Sequence, residues 1–119
     1  MGDIKAQVVE YSQDIYAHLS IAMGDDKQVI ESMIQDGLAL VWHVEKCGYV
    51  VASIEFDEVV YMAGEGKNAA IAINKLNSIY KRAGIKTWRI HTESKGMLRM
   101  LNSNKLNCKL KEYVISGGV

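Results

Sequence analysis

The sequence predicts an α/β fold of the α+β kind: a mixed, mostly antiparallel sheet with helices on both faces, in the order β-α-α-β-β-β-α-β-α-β. Three observations carry this. Leu38 to Glu45, Tyr49 to Phe56 and Val59 to Ala63 are consecutive runs rich in Val, Ile, Tyr and Trp. The intervals between them, Lys46-Cys47-Gly48 and Asp57-Glu58, are short enough only for hairpin turns, so the middle of the chain is an antiparallel meander. The third run then passes through Gly64-Glu65-Gly66 into the amphipathic stretch Ala69 to Ala83 and on to another strand, which requires a crossover and a parallel pair.

Taken in order, Ile4 to Glu10 suits a short strand, with Ile4, Ala6 and Val8 alternating. Ser12 can cap a helix whose stripe is Ile15, Tyr16, Leu19 and Ala22 to Met23, stopped by Gly24. Asp25 or Asp26 caps a second helix with Val29, Ile30, Met33 and Ile34 on one face, closed by Gly37. Along the second meander strand, Tyr49, Val51, Ser53 and Glu55 oppose Val50, Ala52, Ile54 and Phe56, and the latter set reads as the better core face. The long helix buries Ala69, Ala72, Ile73, Leu76, Ile79, Tyr80 and Ala83 and turns Asn74, Lys75, Asn77, Lys81 and Arg82 outward, ending at Gly84. Thr87 to Thr92 follows as a strand, then a short helix from about Lys95 to Asn102 using Met97, Leu98, Met100 and Leu101. Lys109 to Ile115 is the last strand, before a small tail of Ser116 to Val119.

The 119 residues suffice for one core, so residues 1–119 read as a single domain. Hydrophobic residues at 49% and charged residues at 24% exclude a disordered chain. No apolar run approaches a membrane span and no leader pattern opens the chain, which points to the cytoplasm. Cys47 and Cys108 lack metal or disulfide-framework spacing and are expected as free thiols. The zero net charge hides a division: residues 1–59 carry three lysines against eleven carboxylates, net −8, and residues 60–119 are +8. A polyanionic ligand on the basic half and neutralisation between the halves both fit this split.

Chemistry concentrates at Met62 to Asn68. A strand running through glycines into a helix exposes unpaired N–H groups at the helix start, which favour an anion. A Walker loop fails twice, because Tyr61 stands at its first glycine and Asn68 at its hydroxyl. Gly64 to Ala69 does match G-x-G-x-x-A, but the strand before it follows hairpins and no acidic residue follows at the ribose-binding distance. His18, His43 and His91 form no metal spacing, and no nucleophile elbow is present. Lys81, Arg82, Lys86, Lys105, Lys109 and Lys111 are scattered without interleaved aromatics, so no nucleic-acid partner is expected.

The element order, the Gly64-x-Gly66 turn, the helix ending Lys81-Arg82-Ala83-Gly84-Ile85 and the segment Trp88 to Leu101 resemble the GNAT superfamily of N-acetyltransferases, in particular short, divergent phage-type members. By topology the resemblance spans nearly the whole chain, and by motif roughly residues 59–106. The family's loop reads Gln or Arg, two residues, Gly, one residue, Gly or Ala, and its amides hold the coenzyme A pyrophosphate. Gly64 and Gly66 match the small positions and Tyr61 replaces the leading residue. The resemblance thus implies acetyl-CoA as co-substrate, held by Met62, Ala63, Gly64, Glu65, Gly66, Lys67, Asn68 and, at a later asparagine position, Ser94, with charge added by Lys67 or Lys95 and with no metal. Leu101 falls where the family keeps the tyrosine that protonates the departing thiolate. For the base that deprotonates an ammonium acceptor, Glu55, Asp57 and Glu58 lie where the family keeps an acidic residue, and His91 stands on the strand beside the loop. Two functions follow: an acetyl-CoA-binding N-acyltransferase acting on a small-molecule or protein amine, or a catalytically degenerate GNAT fold serving as a protein-binding, phage structural or inhibitor protein. Pairing into a homodimer fits either.

Overall fold

The structure, a computed structural model, describes residues 4–91, 109–111 and 114–118. Its frame is a seven-stranded sheet in the order β1-β2-β3-β4-β5-β7-β6. The strands are β1 (Ala6–Val9), β2 (Ala39–Val44), β3 (Gly48–Glu55), β4 (Glu58–Gly66), β5 (Thr87–His91), β6 (Lys109–Lys111) and β7 (Val114–Gly118). Among the described residues only β4 and β5 pair parallel, joined by the crossover helix α3 (Ala69–Arg82). The predicted mixed, mostly antiparallel sheet is therefore what the chain forms.

Helix α1 (Gln13–Met23) starts at Ser12, whose Oγ accepts from the Ile15 N–H at 3.4 Å, and stops at Gly24 with φ 56°. Its buried stripe is Ile15, Leu19 and Met23. Residues Gly24–Asp26 form a 3₁₀ turn before α2 (Lys27–Gln35), and Asp26 makes no side-chain cap. In α2 only Ile30 is fully buried, while Val29, expected on the core stripe, is 62% exposed.

Both faces of the sheet are covered, as the expected helices on both faces require, and β3 contributes to a core on each side. Ala52 joins Trp42, Val44, Val59, Tyr61, Leu76, Tyr80 and Trp88 beneath α3. Val51 joins Ile15, Leu19, Met23, Ile30, Ala39 and Val41 beneath α1 and α2. Central strands sandwiched this way read as unbroken apolar runs. Ile54 and Phe56 do not join the core: they sit by the β3–β4 turn, where Phe56 takes φ 58° and is fully exposed. Asn77, expected on the outer face of α3, is only 5% exposed.

Two further boundaries shift. Strand β4 continues through Gly66, so the glycines lie within a strand paired to β3 and the turn into α3 is only Lys67 and Asn68. The expected final strand Lys109 to Ile115 is two strands, β6 and β7, paired antiparallel, and the small tail through Gly118 belongs to β7 beside β5. The helix expected at Lys95 to Asn102 lies outside the described residues. Among those described, no helix is long and apolar enough to cross a membrane.

Candidate active site

The site begins at an irregularity in β4. Tyr61 faces Ala52 and Ala63 faces Val51, leaving Met62 as an extra residue without a partner in β3. A bulge of this kind turns consecutive side chains to one face and bends the strand. Met62 and Ala63 accordingly both pack on the α1 side of the sheet. The parallel ladder to β5 ends at the same place, with Tyr61 opposite Ile90 as its last pair among the described residues. Beyond it, among the described residues, β4 pairs with β3 alone, and a cleft of about 400 Å³ opens between Met62 to Lys67, Ile90 and the first turn of α3.

At the head of this cleft Asn68 adopts the left-handed conformation, φ 58° and ψ 46°, which turns the chain abruptly into α3. The first i to i−4 bond of the helix is the Ala72 N–H to the Asn68 carbonyl, 3.1 Å. The N–H groups of Ala69, Ala70 and Ile71 thus lie ahead of the intrahelical ladder and carry the helix's positive end. Gly66 serves a different purpose from the one its spacing suggests. A Cβ there would lie 1.8 Å from the Cys47 carbonyl oxygen, and one on Gly48 would lie 2.1 Å from the Glu65 carbonyl oxygen. The two backbones are pressed together, and the Lys67 N–H closes the contact by donating to the Cys47 carbonyl at 2.8 Å. Gly64 is different, since a Cβ there meets only ordinary contacts at 3.6 Å or more.

Burial suppresses the ionisation of two groups that line the cleft. The Tyr61 hydroxyl is driven well above the ordinary tyrosine value by desolvation, with Tyr80 adding to it. The buried Cys47 thiol is also pushed up by desolvation, against the opposing pull of Lys67. Neither group is poised to ionise near neutrality. No group of three or more potential metal ligands occurs among the described residues.

The expected catalytic residues separate. Glu55 and Glu58 flank the β3–β4 turn, where both bind Arg89 of β5, Glu58 at 2.7 Å. Asp57 lies in the same turn, its carbonyl accepting from the Lys86 N–H at 3.4 Å. Glu58 pairs with Thr87 at the start of β5, and the cleft opens at the other end of that ladder, past Ile90. The carboxylates therefore stand away from the splayed segment. The His91 backbone pairs with Val114 of β7, and Ser94, Lys95 and Leu101 lie outside the described residues. What the sequence reading missed stands on the α1 side. His43, Tyr49 and Glu65 occupy one cross-strand row over β2, β3 and β4, and His18 of α1 lies over it. Hairpin symmetry predicts that Tyr49 faces His43, but the bulge that puts Glu65 beside Tyr49 has no sequence signature.

By sequence, no family model matches the chain, and neither does any curated protein. The structure does match. An acetyltransferase of Bacillus subtilis in complex with CoA superposes with a TM-score of 0.73 at 11% identity, covering 98% of this chain and 99% of that one. This chain has the GNAT acetyltransferase fold. A GNAT-family acetyltransferase of Staphylococcus aureus gives a TM-score of 0.60 at 9% identity, over 96% and 99% of the two chains. The PaiA N-acetyltransferase of Thermoplasma acidophilum in complex with coenzyme A gives 0.59 at 12% identity, over 97% and 99%. The bulged and splayed β4 of this chain thus sits within a GNAT fold matched over nearly its whole length.

Proposed function

We propose that this chain binds acetyl-CoA in the cleft between β4 and β5 and transfers the acetyl group to an amine. One observation carries the reading: among the described residues the β4–β5 ladder ends at Tyr61 and Ile90 where Met62 bulges, and the cleft there reaches the first turn of α3, whose leading amides precede the intrahelical ladder. A long polar ligand with a diphosphate fits that sequence of surfaces. The edge of Met62 and Ala63, past the last β4–β5 pair among the described residues, offers backbone hydrogen bonds to an amide-bearing arm. The α3 N-terminus, with Gly64, Glu65, Gly66, Lys67 and Asn68 leading to it, offers N–H groups and a lysine to phosphate oxygens. Two of the proteins sharing the fold are complexes with the coenzyme, which supports the same ligand here. From the family resemblance we also assign Ser94 to the coenzyme.

When bound, the coenzyme supplies an activated acetyl thioester. The chain's own part is to hold it against an amine and to polarise its carbonyl with backbone N–H groups of the splayed segment. Tyr61 is not the proton donor to sulfur, because its hydroxyl is committed to Asn77 and its ionisation is suppressed by burial. With leucine at position 101, transfer relies on positioning rather than on a tyrosine acid. We assign the acceptor to the amines of small molecules or proteins.

The test is thermal unfolding followed during titration with acetyl-CoA and with CoA. A ligand at a hundred times its Kd stabilises the folded chain by about 2.7 kcal/mol. A midpoint unmoved at millimolar coenzyme overturns the proposal.

A further inference from the structure

We infer that His18, oriented by Glu65, is the general base that deprotonates the acceptor amine. This rests on the coenzyme reading above and adds to it the residue that was missing. The His18 Nδ1 lies 3.4 Å from the Glu65 Oε2, a carboxylate facing one ring nitrogen and leaving Nε2 to the other side. The imidazole also lies against Tyr49, ring centroids 5.4 Å apart, and Tyr49 in turn contacts His43 at 5.1 Å. These contacts come from two different elements, so the ring is held by β3 and β4 while it is carried by α1. Glu65 and Tyr49 both line the cleft, as does Ala22, one turn beyond His18 on α1. The pair remains open to an incoming molecule, with His18 54% and Glu65 41% exposed.

An oriented, accessible imidazole in contact with two residues of the cleft wall, Tyr49 and Glu65, is within reach of a molecule entering the cleft, and apo distances of this kind tighten when substrate arrives. Glu65 fixes the proton on Nδ1, so Nε2 presents a lone pair. Nε2 takes one proton from the ammonium. The neutral nitrogen then forms the new C–N bond at the thioester carbonyl carbon as the C–S bond breaks, and the electron pair and a second amine proton go to sulfur. Among the described residues, the charged and titratable groups around His18 are Glu65 and Tyr49 in contact, His43 beyond Tyr49, Asp14 one turn earlier on α1 and Lys67 two residues past Glu65. His18 is thus a catalytic residue and Glu65 a positioning residue.

The experiment compares the wild type with His18→Gln and Glu65→Gln. Calorimetry measures acetyl-CoA affinity, and thiol release is followed against pH with spermidine, L-lysine and an alanine tripeptide as amine probes. The expected result is unchanged coenzyme affinity in His18→Gln, with kcat lowered by ~10²-fold or more and the acidic limb of the pH profile lost. Imidazole ¹⁵N spectra give a reading independent of turnover: the neutral His18 ring carries its proton on Nδ1, and Glu65→Gln shifts it toward Nε2. Coenzyme binding to neither wild type nor variant overturns the coenzyme reading itself. Intact binding with an unaltered profile in His18→Gln, with no thiol release by the wild type, or with the wild-type proton on Nε2 overturns the base assignment and leaves the coenzyme reading standing.

Discussion

The Tyr61 hydroxyl donates a 2.5 Å hydrogen bond to the Oδ1 of Asn77, tying a residue of the β4–β5 ladder to the middle of α3. Both residues are buried, and the Tyr61 ring packs near Trp88 of β5, so the bond pins the point from which β4 diverges. Tyr61→Phe keeps the ring but leaves a buried amide oxygen without its donor. We expect a loss of about 1–3 kcal/mol in chemical denaturation. Adding Asn77→Leu to it should cost less than the two single changes together, because the orphaned acceptor is then gone. Strict additivity in that cycle would show that the bond contributes nothing.

The same burial predicts a weakness in alkali. Tyr61 and Tyr80 titrate above the ordinary 10.0 because folding desolvates them. Tyr11, desolvated and facing Glu31, is pushed up to about 12. Each folded-state value exceeds the unfolded one. Below about pH 10 both states keep these protons and the contribution to stability is complete. Above it the unfolded chain releases them first, so stability should fall as pH rises. Urea midpoints measured upward from pH 9 check this, and Tyr61→Phe should make the decline shallower.

The hairpins and the crossover were legible because turn length and apolar run length are local properties of the chain. Lys46 to Gly48 leaves room for only one way back, and His43 opposite Tyr49 follows. The site was less legible because its determinants are contacts between distant segments. Gly66 reads as a phosphate glycine, yet any side chain there is excluded by the Cys47 carbonyl nineteen residues earlier, a relation that exists only once β3 and β4 pair. Without the bulge at Met62, Tyr49 would face Gly64 instead of Glu65, and nothing in Tyr61-Met62-Ala63 announces the extra residue. Asn77 stands beside Leu76 and one turn from Ile73 and Tyr80, at the border of the buried stripe. Its polarity assigns it to solvent until Tyr61 supplies the partner that lets it stay inside.

Arg89 gives the carboxylates of the β3–β4 turn a structural task. Its guanidinium meets Glu55 and Glu58 together, and the hydrogen bond to Glu55 is the main cause holding its ionisation above the ordinary arginine value. Partly exposed pairs of this kind contribute about 0.2–1 kcal/mol and weaken with salt. Glu58→Gln should therefore lower stability by less than about 1 kcal/mol while leaving acetyl-CoA affinity unchanged. A large fall in coenzyme affinity with the fold intact would return these carboxylates to the site.

The two glycines of the motif should separate folding from binding. At Gly66 the backbone has φ 131° and a Cβ would overlap the Cys47 carbonyl, so Gly66→Ala must force β3 and β4 apart. That change is expected to abolish cooperative folding, and any lost coenzyme binding would then say nothing about the site. Gly64 lines the cleft without a positive φ, and a Cβ there has ordinary contacts only, with Tyr49 O at 3.6 Å and Val50 Cγ2 at 3.9 Å. Gly64→Ala should fold with a stability within about 1 kcal/mol of the wild type. Gly64→Val should also fold, but its branched side chain adds bulk to the cleft wall, so acetyl-CoA affinity should fall at least tenfold by calorimetry. Equal affinity in a folded Gly64→Val protein would place the coenzyme somewhere other than along β4.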